Sequence, residues 1–403
     1  MQTNPLIAST SKGFFALLPV GQRIVEKLTN IVETELIKIG GQKCEVPSMG
    51  PKNIWEKSGR WNELGSEMFK LNDRLETEYC LQPTAEEMFT TLTQNLGPIN
   101  KRILPLMLFQ TSQKFRDEMN PRFGVIRSKQ FLMNDLYTFD VDSQAAENTY
   151  NKVFKVYERI FEEILGFRND IYKVQANPGA MGGNFSHEFH LPNSSAEDAL
   201  LICNSCGHKS KKDEVKSLSN CSHCNSQDLK TIETVEVGHT FQLGEKYSKV
   251  FEAISPNGNP YFMCCFGLGI TRIIAAAIDV LSISNKAMRL PDALSPFKLA
   301  IILPKENTVN SLFLQSFIKD IANLPTFFNN ILIDDRIEKS VGRRIHDANH
   351  LGIPNILVAS SHKHVDPYAI QKIEYLKTFP KSDKVEKIRD LTHSELFLEL
   401  SKM

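Results

Sequence analysis

The chain has 403 residues, enough for two or three domains with a large core, and 41% of its residues are hydrophobic. The 47 basic and 47 acidic residues cancel, so contact with a nucleic acid would have to come from local patches and not from an overall positive field. No apolar run is long enough to span a bilayer, and residues 1–10 show neither a secretory signal nor a transit peptide. We therefore expect a soluble globular protein.

The first predicted element is a long amphipathic helix. Gly40 and Gly41 follow its last apolar residue, as the C-terminus of a helix requires. The residues that recur at helical spacing are Ile24, Leu28, Ile31, Val32, Leu36 and Ile39.

Shorter elements come next. Residues 44–47 are strand-like, and Ser58 with Gly59 predicts a break between Trp55 and Trp61. Thr84, with acids at 86 and 87, is typical of a helix start.

A hairpin, a helix and a strand-to-helix turn are predicted in the middle of the chain. Residues 114–118 and 126–137 read as antiparallel strands, because Pro121 and Gly124 mark a turn between them. Apolar residues at helical spacing follow in 150–164, and a strand at 263–269 turns at two glycines into an apolar helix. Mixed elements with antiparallel connections favour an α+β fold.

The last part of the chain changes character. Residues 285–297 interrupt the apolar pattern and predict a linker, so we divide the chain into domains 1–290 and 291–403. Strand-like runs at 299–303, 331–333 and 355–358 alternate with helical stretches, which predicts a small three-layer α/β domain.

The hairpin also carries the residues of a nucleotide site. Arg116 could form a bidentate contact with a phosphate, Glu118 could accept from an exocyclic amine, and Phe131 offers a flat face for a purine. There is no Walker loop and no GxGxxG. A solvated charged hairpin is the alternative.

Arg272 follows the two glycines and would lie in the first turn of the helix. A cation is poorly placed for the helix dipole there, so an anionic ligand would explain its position. Together with Arg116 it could clamp a polyphosphate; a surface arginine is the alternative.

Four of the eight cysteines form two C-x-x-C pairs separated by fourteen residues, which favours a metal in a reducing compartment over disulfides. Cys203, Cys206, Cys221 and Cys224 would give a closed tetrahedral zinc site, with His208 and His223 as alternative ligands. The segment between the pairs is too polar to fold by core burial, which favours a metal; its lysines include Lys209, Lys211, Lys212 and Lys216. A degenerate ribbon without metal is the alternative.

These residues lie in the order of the class II aminoacyl-tRNA synthetase motifs. Pro47 after a long helix resembles motif 1, residues 115–118 with Arg127 and Phe131 resemble motif 2, and residues 267–272 resemble motif 3. Further blocks resemble the prolyl-tRNA synthetases, in their compact mitochondrial form, from Gly13 to about Val358: 81–87, 121–124, 182–183, 186–189, 236–244 and 246–248. The resemblance implies an antiparallel class II sheet flanked by helices, a small cysteine-rich insert at 200–230 and a C-terminal α/β anticodon-binding domain.

The resemblance also implies a role for each matching residue. Thr84 and Glu86 would hold the prolyl imino group, Arg116 would bridge the proline carboxylate and the α-phosphate, and His239, Phe241 and Cys265 would close the proline pocket. Glu118 would accept from the adenine amine, Phe131 would stack on the purine, Arg127 and Arg272 would clamp phosphates, and Gln242 would lie near ATP. Arg336, Arg344 and Asp347 would read the anticodon.

The implied reaction makes prolyl-adenylate from proline and ATP and then transfers proline to the 3′ end of tRNA(Pro). Arg116 and Arg272 would be catalytic together with Mg²⁺, by positioning and charge neutralisation. General-base work by His187 or His239 is unnecessary, and a structural histidine is the favoured reading for both.

The resemblance also leads to expectations about the assembly and location of the protein, and it leaves two alternative functions. We expect a homodimer in the mitochondrial matrix, or otherwise in the cytoplasm. The cysteine insert stands where longer relatives carry an editing domain, so none is expected here. The alternatives are a catalytically inactive paralogue that binds tRNA, and a synthetase of threonyl or seryl type.

Overall fold

The computed structural model describes residues 6–97, 99–177, 179–183, 185–194, 198–214, 220–303, 311–359 and 373–401. The predicted role of Lys216 in the polar segment lies outside these residues. By its contacts the chain divides into two compact units. One comprises Ile7–Leu17 and Val25–Asp279, and the other comprises Met1–Leu6, Leu18–Ile24 and Val280–Met403. The predicted boundary between residues 290 and 291 stays a prediction.

The elements up to residue 95 are short except for the first helix. In chain order they are β1 (Ile7–Ser11), β2 (Phe14–Leu17), α1 (Pro19–Lys38), β3 (Gln42–Lys43), β4 (Met49–Pro51), α2 (Lys52–Ser58), α3 (Arg60–Glu63), β5 (Lys70–Asn72), β6 (Glu78–Leu81) and α4 (Glu86–Asn95). The predicted first helix is confirmed: it begins at Pro19, where a missing N–H costs nothing, and is followed by Gly40 with φ of 96°.

One local prediction from this part of the sequence is wrong, and a second is confirmed except for one detail. Residues 44–47 are not a strand, because the strand pairing ends at Lys43 and resumes at Met49. The predicted helix start is confirmed, because α4 begins at Glu86; its N-cap is Ala85, and the Thr84 hydroxyl donates to the Glu86 carboxylate. The break at Gly59 is confirmed, with φ of 83° between α2 and α3.

The elements of the central sheet follow. They are β7 (Leu106–Phe115), β8 (Gln130–Asp140), α5 (Ser143–Arg159, continued by a π turn at Ile160–Ile164), β9 (Tyr172–Ala176), β10 (Phe185–Pro192), β11 (Asp198–Cys203), β12 (Lys209–Lys211), β13 (Leu229–Gly244), α6 (Lys246–Phe251), β14 (Phe262–Gly269) and α7 (Ile270–Leu281). The strand order is β12-β11-β13-β14-β8-β7-β3, with β10 pairing both β13 and β9. Every pair is antiparallel except β3 with β7. The α+β prediction is confirmed.

The two faces of this sheet carry different side chains. Cys264 and Cys265 follow each other on β14, so they point to opposite faces. The Cys264 thiol donates to the Ala146 carbonyl of α5, whereas Cys265 packs with Phe89 of α4 and Tyr247 of α6. Helix α5 therefore covers one face, and α4 with α6 covers part of the other.

The predicted hairpin is confirmed, but its first strand begins earlier and its connecting loop is longer than expected. Phe115 pairs with Gln130 at the loop end, so residues 116–129 form the connection. Residues 116–118 and 126–129 are predicted as strand and belong to this connection, in which Gly124–Ile126 forms a 3-10 turn. The predicted strand-to-helix turn is confirmed, because β14 ends at Gly269 and α7 begins at Ile270.

The other unit contains a second, smaller sheet. Its elements are β15 (Leu299–Ile302), α8 (Ser311–Ala322), β16 (Ile331–Asp334), α9 (Val341–His350), β17 (Asn355–Ala359), β18 (Ile373–Thr378), β19 (Val385–Leu391) and α10 (His393–Leu400). The strand order is β16-β15-β17-β18-β19. Leu299 and Ile301 pack with α8 and α10, while Ala300 and Ile302 pack with α9, which confirms three layers.

Among the described residues, no helix combines the length and apolar character that crossing a membrane requires.

Candidate active site

A cavity of about 380 Å³ lies against the central sheet, and eight residues singled out from the sequence line it. They are Thr84, Glu86, Arg116, Phe131, His239, Phe241, Cys265 and Arg272. Residues separated by almost 190 positions in the chain are therefore brought to one place.

The register of three strands explains how the wall is assembled. Phe241 of β13 is opposite Cys265 of β14, which is opposite Tyr137 of β8. Two residues further along, His239 is opposite Gly267, which is opposite Asp135. Because side chains alternate along a strand, both rows face the same side of the sheet.

The base of the cavity contains a buried charge cluster that the sequence analysis missed. Arg60 is 1% exposed, and its Nη1 donates to Glu86 Oε2 at 2.9 Å and to Glu87 Oε1 at 3.1 Å. Glu86 and Glu87 are 1% and 0% exposed. Ser58 Oγ donates to Glu87 Oε1 at 2.7 Å.

One guanidinium thus serves two carboxylates, which leaves one formal negative charge when both are ionised. Burial raises the pKa of Glu87; Arg60 opposes this shift and Glu86 adds to it. A small cation entering the cavity beside Glu86 would relieve the excess negative charge.

The hydroxyl of Thr84 is placed next to Glu86 by its neighbours. Thr84 Oγ1 donates to Glu86 Oε2 at 2.7 Å and lies 3.3 Å from the Tyr137 hydroxyl. That hydroxyl donates to Asp135 Oδ2 at 2.9 Å, and Lys114 Nζ lies 3.0 Å from the same oxygen. Burial raises the pKa of Asp135 in spite of Lys114. This buried network fixes the wall beside Thr84.

Two guanidiniums face the same cavity. Arg116 lies over the Phe131 ring, 5.3 Å from its centroid. Arg272 donates from Nε to the Ile126 carbonyl and from Nη1 to the Glu236 carbonyl, both at 3.0 Å. Burial, followed by the like charge of Arg272, lowers the pKa of Arg116 from its ordinary value. Such a pair favours an anionic ligand.

The loop of the hairpin holds two further predicted residues. Arg127 Nε donates to Glu118 Oε2 at 2.8 Å, with side-chain exposures of 38% and 22%. Neither residue is among the described residues that line the cavity. A nucleotide that contacts both groups would have to compete with this ion pair.

The remaining wall is aromatic and apolar. The rings of His239 and Phe241 are stacked with centroids 3.8 Å apart. Burial raises the pKa of the Cys265 thiol well above its usual range, so this side chain acts as a small neutral wall. Gln242 is next to Phe241 on β13 and is absent from the described lining, as strand alternation would require.

The four cysteines of the insert meet at one point. Their Sγ atoms lie within 4.8 Å of one another, with Cys203 and Cys224 separated by 3.5 Å and Cys206 and Cys221 by 3.7 Å. A tetrahedron with Zn–S bonds of about 2.3 Å has S–S edges of about 3.8 Å. The thiol set therefore fits a tetrahedral zinc ion.

The three predicted anticodon residues lie around the end of β16. Arg336, with its side chain 39% exposed, contacts Asp334 Oδ2 at 2.5 Å and Asp347 Oδ2 at 3.0 Å. Arg344 is 0% exposed, and its Nη1 donates to the Asp334 carbonyl at 3.2 Å. Arg344 is thus too buried to contact a base directly and supports the backbone at this strand end, whereas Arg336 and Asp347 are partly exposed.

Residues 69–281 match the family model described as the tRNA synthetase class II core domain (G, H, P, S and T). The fold is likewise similar to that of the solved structure entitled "Giardia lamblia Prolyl-tRNA synthetase in complex with prolyl-adenylate", with a TM-score of 0.76 at 17% identity, covering 98% of this chain and 73% of that one. The fold and cavity define a class II tRNA synthetase.

Curated relatives identify the family within the class II tRNA synthetases. The chain is 41% identical over 372 residues to the Rattus norvegicus protein named "Probable proline–tRNA ligase, mitochondrial", covering 90% of this chain and 77% of that protein. The Homo sapiens protein of the same name is 40% identical over 371 residues, with the same coverage. The chain belongs to the proline–tRNA ligase family.

The charge cluster at the base gives the first testable prediction. Arg60→Met leaves two buried carboxylates without their shared cation, so we expect the unit to lose about 3 kcal/mol of stability at neutral pH. The unpaired carboxylates would have raised pKa values and bind more protons folded than unfolded, so the loss should grow as the pH rises from about 5.5 to about 8. Urea unfolding followed by tryptophan fluorescence reports this unit, because the two tryptophans, Trp55 and Trp61, both belong to it.

The matched control is Arg60→Met combined with Glu87→Gln, which removes one of the stranded carboxylates and should recover part of the loss. The electrostatic explanation would be contradicted if Arg60→Met lost the same stability at pH of about 5.5 and about 8 and the double variant recovered none of it.

Proposed function

We propose that this chain is an ATP-dependent proline–tRNA ligase, which forms prolyl-adenylate and pyrophosphate and then transfers proline to the 3′ end of tRNA(Pro). The observation that carries the proposal is a single cavity lined by the carboxylate of Glu86, which shares its one guanidinium partner with Glu87, and by two guanidiniums, Arg116 and Arg272. Proline is a small zwitterion, and its adenylate adds a phosphate, so the ligand and the cavity are complementary in charge. The printed names of the curated relatives support the same activity.

The amino-acid end of the substrate is assigned to the base of the cavity. Glu86 would accept a hydrogen bond from the secondary ammonium of proline, and Thr84 Oγ1, 2.7 Å from Glu86 Oε2, would be the second partner. Cys265 and the stacked rings of His239 and Phe241 would enclose the apolar ring of proline. Arg60 would act indirectly, by holding Glu86 in place.

The nucleotide end is assigned to the two guanidiniums and the hairpin. Arg116 would bridge the proline carboxylate and the α-phosphate, and Arg272 would hold phosphate charge. Phe131 would stack on adenine, and Glu118 and Arg127 would exchange their mutual ion pair for the adenine amine and a phosphate. Gln242 near ATP stays a prediction.

Catalysis then needs no protein nucleophile. The proline carboxylate attacks the α-phosphate, and the chain aligns the two anions and neutralises charge that develops in the transition state. Mg²⁺ bound with ATP would supply further neutralisation of the phosphates. His187 and His239 are not needed as bases; burial and the charge of His239 lower the pKa of His187.

The outer parts of the proposal concern metal, tRNA, assembly and location. The four cysteines would hold one structural Zn²⁺. Arg336 and Asp347 would contact anticodon bases, with Arg344 fixing the strand end beneath them. A homodimer in the mitochondrial matrix completes the proposal, the location being supported by the names of the relatives.

The phosphate role of Arg116 predicts a large kinetic effect. Arg116→Ala should slow proline-dependent ATP–pyrophosphate exchange by about 10² or more, because it removes a donor to developing phosphate charge. Arg122→Ala is the control, since Arg122 is an exposed arginine of the same loop. Unchanged exchange in Arg116→Ala would remove the phosphate role.

The metal site predicts a stoichiometry. Protein purified without chelator should contain about one Zn²⁺ per chain, and Cys206→Ser should lose it because a closed site needs all four thiolates. Cys44→Ser, outside the insert, should keep its zinc. Metal analysis that finds no zinc in the unaltered protein would refute the site.

Fidelity gives a further prediction. A pocket for proline discriminates against alanine by only about 1–3 kcal/mol, so some alanyl-adenylate should form. Between β10 and Glu236, the described residues contain β11, β12, the first residues of β13 and the cysteine cluster of the insert, and we propose no second hydrolytic site. Alanyl-tRNA(Pro) incubated with this protein should decay no faster than in buffer; rapid enzyme-dependent deacylation would show an editing activity.

A further inference from the structure

A lysine of the cysteine-rich insert reaches the side chains behind the proline pocket. Lys211 is the last residue of β12, and its Nζ donates to Glu188 Oε1 at 3.1 Å. The two side chains are 14% and 4% exposed. The contact is therefore a largely buried ion pair between the insert and β10.

Glu188 contacts both Lys211 and the residues of the pocket wall. Its Oε2 lies 2.7 Å from His190 Nε2, and His190 Nδ1 lies 3.1 Å from Thr234 Oγ1 of β13. Its Oε1, which accepts from Lys211, is also 3.8 Å from His239 Nδ1. His239 lines the cavity and stacks on Phe241.

His239 stands between two carboxylates. Its Nδ1 is 3.2 Å from Glu236 Oε1, in addition to the longer contact with Glu188. With Lys211 in place, Glu188 has its own cation, so the His239 ring can keep its contact with Glu236. Without Lys211, a buried carboxylate would be left short of countercharge beside His239.

The strand that carries Lys211 follows a turn that contains two of the four cysteines. The Cys203 N–H donates to the His208 carbonyl at 2.9 Å, which closes the turn between β11 and β12. The thiols of Cys203 and Cys206 in this turn lie 3.5 and 3.7 Å from those of Cys224 and Cys221. In the pairing that follows, Lys211 lies opposite Leu200, so an ion held by the four thiols would fix the turn that precedes the Lys211 backbone.

Glu188, Glu236 and His239 could in principle bind a metal, because their ligand atoms lie within 4.8 Å of one another. Lys211 argues against this, since its ammonium already lies 3.1 Å from Glu188. The cation that this acidic group requires is supplied by the chain itself.

We propose that Lys211 is a positioning residue of the proline site, and that the order imposed on the insert by its four cysteines reaches the His239 ring through Lys211 and Glu188. This inference rests on the proposed proline-activating function. The insert would thus affect the affinity for proline, although it is distant in sequence from Arg116 and Arg272.

The test compares Lys211→Met, Lys211→Arg and the control Lys212→Met, an exposed lysine of the same insert. We expect Lys211→Met to raise KM for proline in pyrophosphate exchange, and Kd for proline in calorimetry, about tenfold, within the usual range of couplings between sites. KM for ATP and zinc content should stay unchanged. Lys211→Arg, which keeps the charge, should recover most of the affinity, and Lys212→Met should match the unaltered protein.

Metal removal supplies a second arm. Removing zinc from the unaltered protein should weaken proline binding by about the same factor. Removing it from Lys211→Met should cause little further loss of proline affinity, because both changes interrupt the same contact between the insert and Glu188. Three results would overturn the inference. They are an unchanged KM for proline in Lys211→Met, a parallel rise in KM for proline and ATP, and losses of proline affinity from zinc removal and from Lys211→Met that add to each other. If the unaltered protein shows no proline-dependent exchange, the proposed function itself fails.

Discussion

The structure depends on holding the Glu86 carboxylate and the guanidiniums of Arg116 and Arg272 around one cavity without letting them pair with each other. Glu86 and Glu87 share a single guanidinium, Arg60, and Arg116 and Arg272 share the same cavity wall. In a medium of low polarity, mobile charges of opposite sign would collapse into ion pairs. Here each is held by other contacts, as Arg272 is by two backbone carbonyls. Burial, followed by the like charge of Arg272, lowers the pKa of Arg116, and burial raises the pKa of Glu87 against the opposing effect of Arg60.

The antiparallel sheet is what makes such fixation possible. Strand register places Phe241, Cys265 and Tyr137 in one row and His239 next to Asp135 in the following row, separated by Gly267. A slip of one residue would turn every one of these side chains to the face covered by α5. Strand β13 connects the cavity wall with the insert, because its first residues pair with β11 and its last residues pair with β14. The cysteine insert is therefore part of the same sheet as the pocket.

Local patterns in the sequence were sufficient for much of this arrangement. The long helix, the hairpin, the turn before Arg272 and the four cysteines each have a short-range signature, and the structure contains each of these features. Arg116, Phe131 and Arg272 meet at the cavity. The sequence predicts too short a hairpin loop, because Pro121 and Gly124 locate the turn but do not show where the strand pairing ends. It does not show either whether the Thr84 hydroxyl contacts the backbone of the helix or the Glu86 carboxylate.

What the sequence did not reveal depends on contacts between distant positions. Arg60 lies in a short helix between two tryptophans, and its partners are 26 and 27 residues away. Lys211 looked like one of several solvated lysines until the sheet brought it to Glu188, 23 residues earlier in the chain. Arg344 is predicted from the sequence to read the anticodon, and its side chain is 0% exposed. Periodicity indicates which face is apolar, but it does not indicate which charge is buried with which partner.

Whether this cavity activates proline is tested most directly by ATP–pyrophosphate exchange measured with each of the twenty amino acids. We expect the fastest exchange with proline and a weaker signal with alanine, because the cavity matches a small secondary ammonium and excludes larger side chains. Exchange with no amino acid would indicate an inactive paralogue. Faster exchange with threonine or serine than with proline would contradict the assignment of the pocket.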